Sequence, residues 1–395
     1  MSKAASVESP CIIGWSHSRF GKLVEDDLES LIVTAARDAI AHAGIAAADI
    51  DAIFVGLFNN GMSRQDFPAS LVLQADEALR FKPATRVENA CATGSAAIHA
   101  AIDRIRAGRA RIALVVGAEK MTGIGNAAVG TALLGAAYAP EAPEGPKGFA
   151  GVFGDIASAY FAKYGDHGDA LARIAAKNHH NGVVNPYAQL RRDVGFEFCR
   201  TTSPDNPMVA APLRRSDCSP VSDGAAALVI ADVATARSMQ RAVAWRAAVQ
   251  VNDFLPLARR DMTRLDGAAE AWRRALGEAG IALEDLDLVE SHDCFTIAEL
   301  MEYEAMGLTP VGQGHIAIEE GWVQRDGKLP VNLSGGLKAK GHPIGATGVS
   351  MHVLGAMQVC DAAGAMQLPG ATLAGVFNMG GMGVANFVSI LERRH

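Results

Sequence analysis

Ala41-His42-Ala43-Gly44-Ile45-Ala46-Ala47-Ala48-Asp49-Ile50-Asp51 and Gly277-Glu278-Ala279-Gly280-Ile281-Ala282-Leu283-Glu284-Asp285-Leu286-Asp287 are two versions of one pattern. In each, an alanine-rich run with helical spacing stops at a glycine, which readily takes the left-handed conformation that closes a helix. An acidic turn then leads into a strand. A second correspondence follows in the same order: Ala92-Thr93-Gly94 and Ala346-Thr347-Gly348, each near the start of a long helical segment. A third sets the apolar strand Ile112-Ala113-Leu114-Val115-Val116 beside Thr372-Leu373-Ala374-Gly375-Val376-Phe377. Spaced matches in one order mark an internal repeat. The fold expected is α/β, a duplicated α/β domain.

The two copies are separated by a segment of different texture. Between Lys120 and Leu213, Gly and Pro clusters such as Glu141-Ala142-Pro143-Glu144-Gly145-Pro146 alternate with helix-like stretches such as 169–179. Such an insertion on a rigid scaffold commonly reaches over a site. Ser222-Asp223-Gly224 then introduces Ala225-Ala226-Ala227-Leu228-Val229-Ile230, an apolar run suited to a buried strand. The expected division is 1–120 with 214–235 for the first half, 121–213 for an inserted loop domain, and 236–395 for the second half.

Composition narrows the functions. With 49% hydrophobic and 20% charged residues, the 395-residue chain can bury large cores and is not disordered. A net charge of −7 argues against nucleic acid or an anionic membrane as the main partner. Local basic pairs, Arg191 with Arg192 and Lys338 with Lys340, are the places where an anionic ligand could be met. Six cysteines without a Cys-x-x-Cys pair are neither a disulfide framework nor a zinc ribbon and fit a reducing compartment. No apolar run spans a bilayer, the start has no signal-peptide core, and the end is no peroxisomal address. A cytoplasmic enzyme is expected.

Cys91 lies in Glu88-Asn89-Ala90-Cys91-Ala92-Thr93-Gly94-Ser95. Ile98, Ile102 and Ile105 form one helical stripe after it, with Asp103, Arg104 and Arg106 off the stripe, so a helix begins close to the thiol. The unpaired N–H groups and positive end of that helix would favour a thiolate and lower its pKa. Cys91 is then either a nucleophile or a buried structural thiol. In Gly341-His342-Pro343-Ile344-Gly345-Ala346-Thr347-Gly348, proline and two glycines force a sharp turn just before the helix that mirrors the Cys91 helix. Two helix starts related by the repeat can point into one cleft, where a neutral His342 could take the Cys91 proton.

In Glu290-Ser291-His292-Asp293-Cys294-Phe295, which follows a strand, residues two apart face the same side, so His292 and Cys294 should point together. His179, His180, Cys199 and Cys218 show no metal-ligand spacing, and no metal is expected. Phe377-Asn378-Met379-Gly380-Gly381-Met382-Gly383 is a turn able to offer backbone N–H groups to an oxyanion. There is no dinucleotide fingerprint and no P-loop.

Together these four segments resemble the thiolase superfamily, over the chain from about Gly14 to Glu392. The resemblance is greatest to the thiolase domain linked to sterol carrier protein and its bacterial and archaeal relatives. Asp217-Cys218-Ser219-Pro220 and Ser334-Gly335-Gly336 also resemble that branch. It implies a layered αβαβα fold of two half-domains, each a five-stranded sheet with helices on both faces. It implies an acyltransferase that cleaves 3-oxoacyl-CoA with coenzyme A, or condenses two acyl-CoA molecules, through an acyl-cysteine. Cys91 would be the nucleophile and His342 its base. His292 stands where many thiolases place an asparagine, and would face one oxyanion with His342. Backbone N–H groups of Cys91 and Met379 would face the other, with Gly380 lining the pocket.

Thiolases take a second cysteine from the final glycine-rich loop, where this chain has Phe377; the resemblance suggests that Cys294 replaces it. Coenzyme A would be substrate or product, with no permanently bound cofactor. A homodimer or tetramer is implied, a small partner protein is known among such relatives, and no sterol-carrier domain is expected after His395. Rival readings are a ketoacyl synthase, a retro-aldol lyase on coenzyme A esters, or a non-catalytic acyl-CoA or lipid-binding subunit.

Overall fold

In the computed structural model, which describes residues 9–142 and 148–395, the repeat becomes two copies of one chain path. The first runs β1 (Cys11–His17), α1 (Leu28–Ala43), β2 (Ala52–Gly56), β3 (Ala84–Val87), α2 (Thr93–Arg106) and β4 (Ile112–Glu119). Helices α3 (Asn126–Leu133), α4 (Gly148–Tyr164), α5 (Gly168–Gly182) and α6 (Gly195–Arg200) follow, with the hairpin β5 (Met208–Ala210) and β6 (Leu213–Arg214). Pro143 to Pro146 of the Gly/Pro cluster lie outside the described residues. β7 (Gly224–Ala231) resumes the first half.

After the short α7 (Val233–Ala236), the second copy runs β8 (Val243–Asn252), α8 (Asp266–Ala279) and β9 (Leu288–Glu290). Its connecting helices are α9 (Thr296–Ala305), α10 (Gly314–Glu319) and α11 (Gly336–Lys340). Then come α12 (Ile344–Val359), β10 (Leu373–Gly380) and β11 (Ala385–Arg393).

The pairing repeats as well. β2 and β4 are parallel, as are β9 and β10; β4–β7 and β10–β11 are antiparallel. The strand order is β3-β2-β4-β7-β1-β8-β11-β10-β9, so the two half-sheets meet at β1 and β8, through Cys11 opposite Ala244 and Ile12 opposite Val243. Only the first half has the five strands expected. In the second, the place of β3 is taken by a single parallel bridge between Val289 and Val331. The chain leaves the extended conformation directly afterwards, with Asn332 at φ 59° and Gly335 at φ 90°.

The sequence repeat proves to be a bracing device. Gly44 and Gly280 close their helices at φ 70° and 64°. The Asp51 carboxylate accepts from the N–H groups of Arg111 (2.7 Å) and Ile112 (3.1 Å) at the start of β4. Asp287 does the same for Thr372 (2.7 Å) and Leu373 (2.9 Å) at β10. Each acidic turn therefore pins its strand to the strand beside it.

Alternate residues of the central strands feed two cores. Leu114 and Val116 pack with α1, whereas Ala113 and Val115 pack with α2. The Ala-Thr-Gly repeat has a steric purpose where α2 and α12 cross. A Cβ at Gly94 would lie 2.6 Å from the Val349 nitrogen, and one at Gly348 would lie 2.3 Å from the Ser95 nitrogen. Backbone meets backbone there, and no side chain fits. We expect Gly348→Ala to cost about 3 kcal/mol or more, the upper range for overpacking a rigid contact. Chemical denaturation would check it, and a change below about 1 kcal/mol would contradict so tight a crossing.

Candidate active site

The turn that presents Cys91 is built from its own side chains. Asn89 N–H donates to Thr93 Oγ1 (2.8 Å), and Thr93 Oγ1 donates to the Ala90 carbonyl (2.6 Å). This closes the chain tightly enough to place Ala90 at φ 48°, a left-handed conformation that costs an alanine about 1 kcal/mol. The thiol is thereby pushed from the end of β3 into the interface of the two halves, buried at 6% exposure.

Opposite stand two imidazoles, also buried. The Cys91 sulfur and one ring nitrogen from each of His292 and His342 lie within 4.8 Å of one another. The rings meet nearly edge to face, 5.1 Å apart at 85°. Their hydrogen bonds define their tautomers. Thr347 Oγ1 donates to the Pro343 carbonyl (2.9 Å) and lies 2.6 Å from His342 Nδ1. With the hydroxyl proton engaged, His342 Nδ1 is the donor, and its Nε2 keeps a bare lone pair.

Asn378 settles His292 in the opposite sense. Its Oδ1 accepts from Ser95 Oγ (2.7 Å), while its Nδ2 donates to the Cys91 carbonyl (3.1 Å) and to His292 Nδ1 (2.9 Å). His292 therefore carries its proton on Nε2. Neither Nε2 has a protein partner. The site thus offers one acceptor and one donor, both unsatisfied and both buried.

Electrostatics correct one expectation from the sequence. Burial pushes the Cys91 thiol up to about 12, assisted by the Glu119 and Glu88 carboxylates, and the Gly381 N–H that faces the sulfur opposes this only in part. A helix does start at Thr93, but enclosure outweighs its dipole and the resting group is a neutral thiol. His342 is held down to about 3 by burial and then by Lys340. His292 is held well below its ordinary value by burial, then by His342 and Lys340. The pair is thiol and neutral imidazole.

Cys294 is buried too, and burial raises its thiol well above the ordinary range, followed by Cys91, Glu302 and Asp293. The extended conformation expected for 291–294 is absent. β9 ends at Glu290, and tight bonds run from Asp293 N–H to the Ser291 carbonyl (3.2 Å) and from Cys294 N–H to that of His292 (2.8 Å). Asp293 nonetheless turns away, accepting from the N–H groups of Leu337 (2.6 Å) and Lys338 (3.1 Å) and from Asn178 Nδ2 (2.7 Å). Asn178 and Lys177, which pairs with Glu299 at 2.9 Å, belong to α5, so the insertion is welded beneath this turn. Met379 and Gly380 end β10, and Gly380 lies so close that a Cβ would be 2.6 Å from the Asn89 carbonyl.

Several residues escaped the sequence reading. Asn378 and Thr347 stood inside quoted motifs without a role. Glu119, at the end of β4, left no signal. Its fully enclosed carboxylate accepts from the N–H groups of Phe58 (3.0 Å), Asn59 (2.9 Å) and Gly345 (2.9 Å), tying the first half to the start of α12. His179 and His180 bond within the insertion, to the Arg192 carbonyl and Asp193.

Two clefts border the turns that carry Cys91 and Cys294. One, of about 710 Å³, is lined by Ala90, Gly380, Gly381 and the charged Arg86, Glu88 and Asp66. The other, of about 580 Å³, gathers Arg191, Arg192, Arg215 and Lys338 beside Ser219 and Pro220. Ser219 N–H donates to the Cys294 carbonyl (3.0 Å), which connects this basic cleft to the site. Lys340 is not part of it, being enclosed against Ser350 at 2.8 Å.

A duplicated α/β fold with a cysteine and two imidazoles at the crossing of its central helices defines a class, and comparison with known proteins agrees. The family described as Thiolase, N-terminal domain matches residues 11–234, and Thiolase C-terminal domain-like matches 249–393. The chain is 37% identical to the acetyl-CoA acetyltransferase of Methanothermobacter thermautotrophicus, over 97% of this chain and 99% of that protein. It is 33% identical to human sterol carrier protein 2, over 75% of this chain and 56% of that protein. Among solved structures, the Ltp2-ChsH2(DUF35) aldolase superposes with a TM-score of 0.82 at 20% identity, over 98% of each chain. The chain belongs to the thiolase family and is a thiolase-type acyltransferase.

Proposed function

We propose that Cys91 is the acylated nucleophile of a reaction that makes or breaks a carbon–carbon bond next to a coenzyme A thioester. The observation that carries this is the buried Cys91 thiol beside the unsatisfied lone pair of His342. His342 Nε2 takes the sulfur proton as the sulfur attacks the thioester carbonyl. The oxyanion forming there is met by backbone N–H groups of Cys91, Met379 and Gly381, and coenzyme A leaves as its thiolate, so that the sulfur proton stays on His342 Nε2. In the second half-reaction His292 Nε2–H and the now protonated His342 face the enolate oxygen, while Cys294 moves the substrate proton. A retro-aldol lyase or a binding subunit has no use for such a thiol.

Acetyl-CoA is the acyl donor proposed, after the archaeal relative's name. Its phosphates fit the basic cleft, whose four cations face one acid, Asp205, whereas the other cleft balances Arg86 with Asp66 and Glu88. Coenzyme A is thus substrate and product, with no resident cofactor. Six free cysteines suit a reducing cytoplasm. No helix among the described residues is long and apolar enough to cross a membrane.

The test is the mass of the intact protein after incubation with acetyl-CoA, which should rise by one acetyl group carried on Cys91. Because His342 stays neutral down to about 3, the rate of that gain should be level between about pH 5.5 and 8. An acid limb near the ordinary imidazole value would contradict the neutral pair.

We propose further that the chain is at least a homodimer through β3. That strand is one end of the sheet, and Phe67 and Phe81 stand 65% and 86% exposed near it. An open, partly apolar edge favours pairing. Light scattering at micromolar concentration should return about twice 41.3 kDa or more, and a monomer would rule the dimer out.

A further inference from the structure

Cys91, His292 and His342 come from three distant segments, so no spacing in the sequence announces them as a ligand set. Together they supply one sulfur and two imidazole nitrogens within 4.8 Å, all enclosed, and the ring nitrogens left without partners are both Nε2. That donor set is one a zinc-class cation selects. Tetrahedral zinc would hold sulfur and nitrogen about 3.5 Å apart, so closure by about 1 Å would seat it.

We propose that this cluster is an inhibitory site for a thiophilic divalent cation of the zinc class, and that the Asn378 amide is the device that limits its affinity. Cation binding here goes beyond the acyltransferase reading and stands without it, whereas the inhibition rests on Cys91 being the nucleophile.

His342 already presents a lone pair at Nε2, because its Nδ1–H donates to Thr347 Oγ1. His292 presents an N–H there, because Asn378 Nδ2 donates to its Nδ1. Asn378 cannot easily turn over, since Ser95 Oγ donates to its Oδ1 and the Cys91 carbonyl accepts from its Nδ2. A metal ion therefore meets two good ligands and one blocked one. Binding displaces the Cys91 proton to buffer, forms bonds to Sγ and His342 Nε2, and recruits His292 only when its proton moves from Nε2 to Nδ1. The same arrangement that supplies an N–H to a substrate oxygen protects the thiol from capture by metal. Occupation would tie up the Cys91 sulfur and exclude acylation.

The test uses Co²⁺ and Zn²⁺ as probes on the full chain. Wild-type protein should bind one Co²⁺ with a thiolate-to-cobalt charge-transfer band, displaced by Zn²⁺ and prevented by prior acetylation. Cys91→Ala should lose the band. Asn378→Asp offers only acceptors to His292 Nδ1, so its Nε2 lone pair is freed, and Co²⁺ should bind at least about tenfold tighter, the usual weight of an outer partner. Should that variant fail to fold, Ser95→Ala deletes only the hydroxyl that holds the amide and should tighten binding in the same direction. A missing thiolate band at saturating Co²⁺ would overturn the proposal, as would equal affinities in wild type and the folded variant. Metal binding is read by absorbance, so failure here leaves acyl-enzyme formation as a separate result.

Discussion

Cys91→Ala should form no acyl-enzyme and should lose both thiolysis and condensation by about 10⁵–10⁶-fold, the order lost when a covalent nucleophile is deleted. The fold should survive. The turn that carries residue 91 is held by Thr93, Asn89 and Asn378 through backbone atoms, none of which involves the sulfur. The alternative is that the thiol only fills space between the halves. Alanine would then cost some stability and leave the rate within a few fold. The measurement is acyl-adduct mass and turnover of the folded variant side by side; retention of either activity refutes the nucleophile.

Cys294→Ala should divide the reaction. Acylation uses Cys91, His342 and backbone N–H groups, so the acetyl adduct should still form at close to the normal rate. Carbon–carbon bond chemistry should fall by about 10²–10⁴-fold, the worth of one positioned acid or base. The geometry makes this readable. Cys294 is anchored through its carbonyl to Ser219 and through its N–H to His292, so removing the thiol leaves the turn in place. Burial, followed by Cys91, Glu302 and Asp293, raises the Cys294 thiol well above the ordinary range, so it rests protonated. That is the form that gives a proton to the enolate in thiolysis, and it is regenerated when a proton returns to the sulfur. Near-normal condensation would show that the proton is handled elsewhere, and His292 Nε2–H would then be the next group to test.

Much of this molecule was legible in one sequence because a duplication writes the fold twice. Gly44 and Gly280 marked helix ends, Asp51 and Asp287 marked the acidic turns that follow, though not the braces they make to distant strands, and the Ala-Thr-Gly pair located the two central helices. Each is a local signal, a backbone conformation or a carboxylate near its own turn, so spacing alone exposes it. The missing fifth strand of the second half was hidden, because only the left-handed turn at Asn332 ends the pairing there.

The sequence by itself determined the duplicated α/β plan, the family, and the short list of Cys91, His292, Cys294 and His342. Tertiary structure alone decided what state those groups rest in. Asn378 bonds Cys91 across 287 positions and His292 across 86, and Glu119 reaches Gly345 across 226. Those contacts assign the tautomers and bury the thiol, turning an expected thiolate into a neutral pair. No local signal predicts that outcome, because desolvation and hydrogen-bond donation are properties of what folding brings near, not of neighbours along the chain.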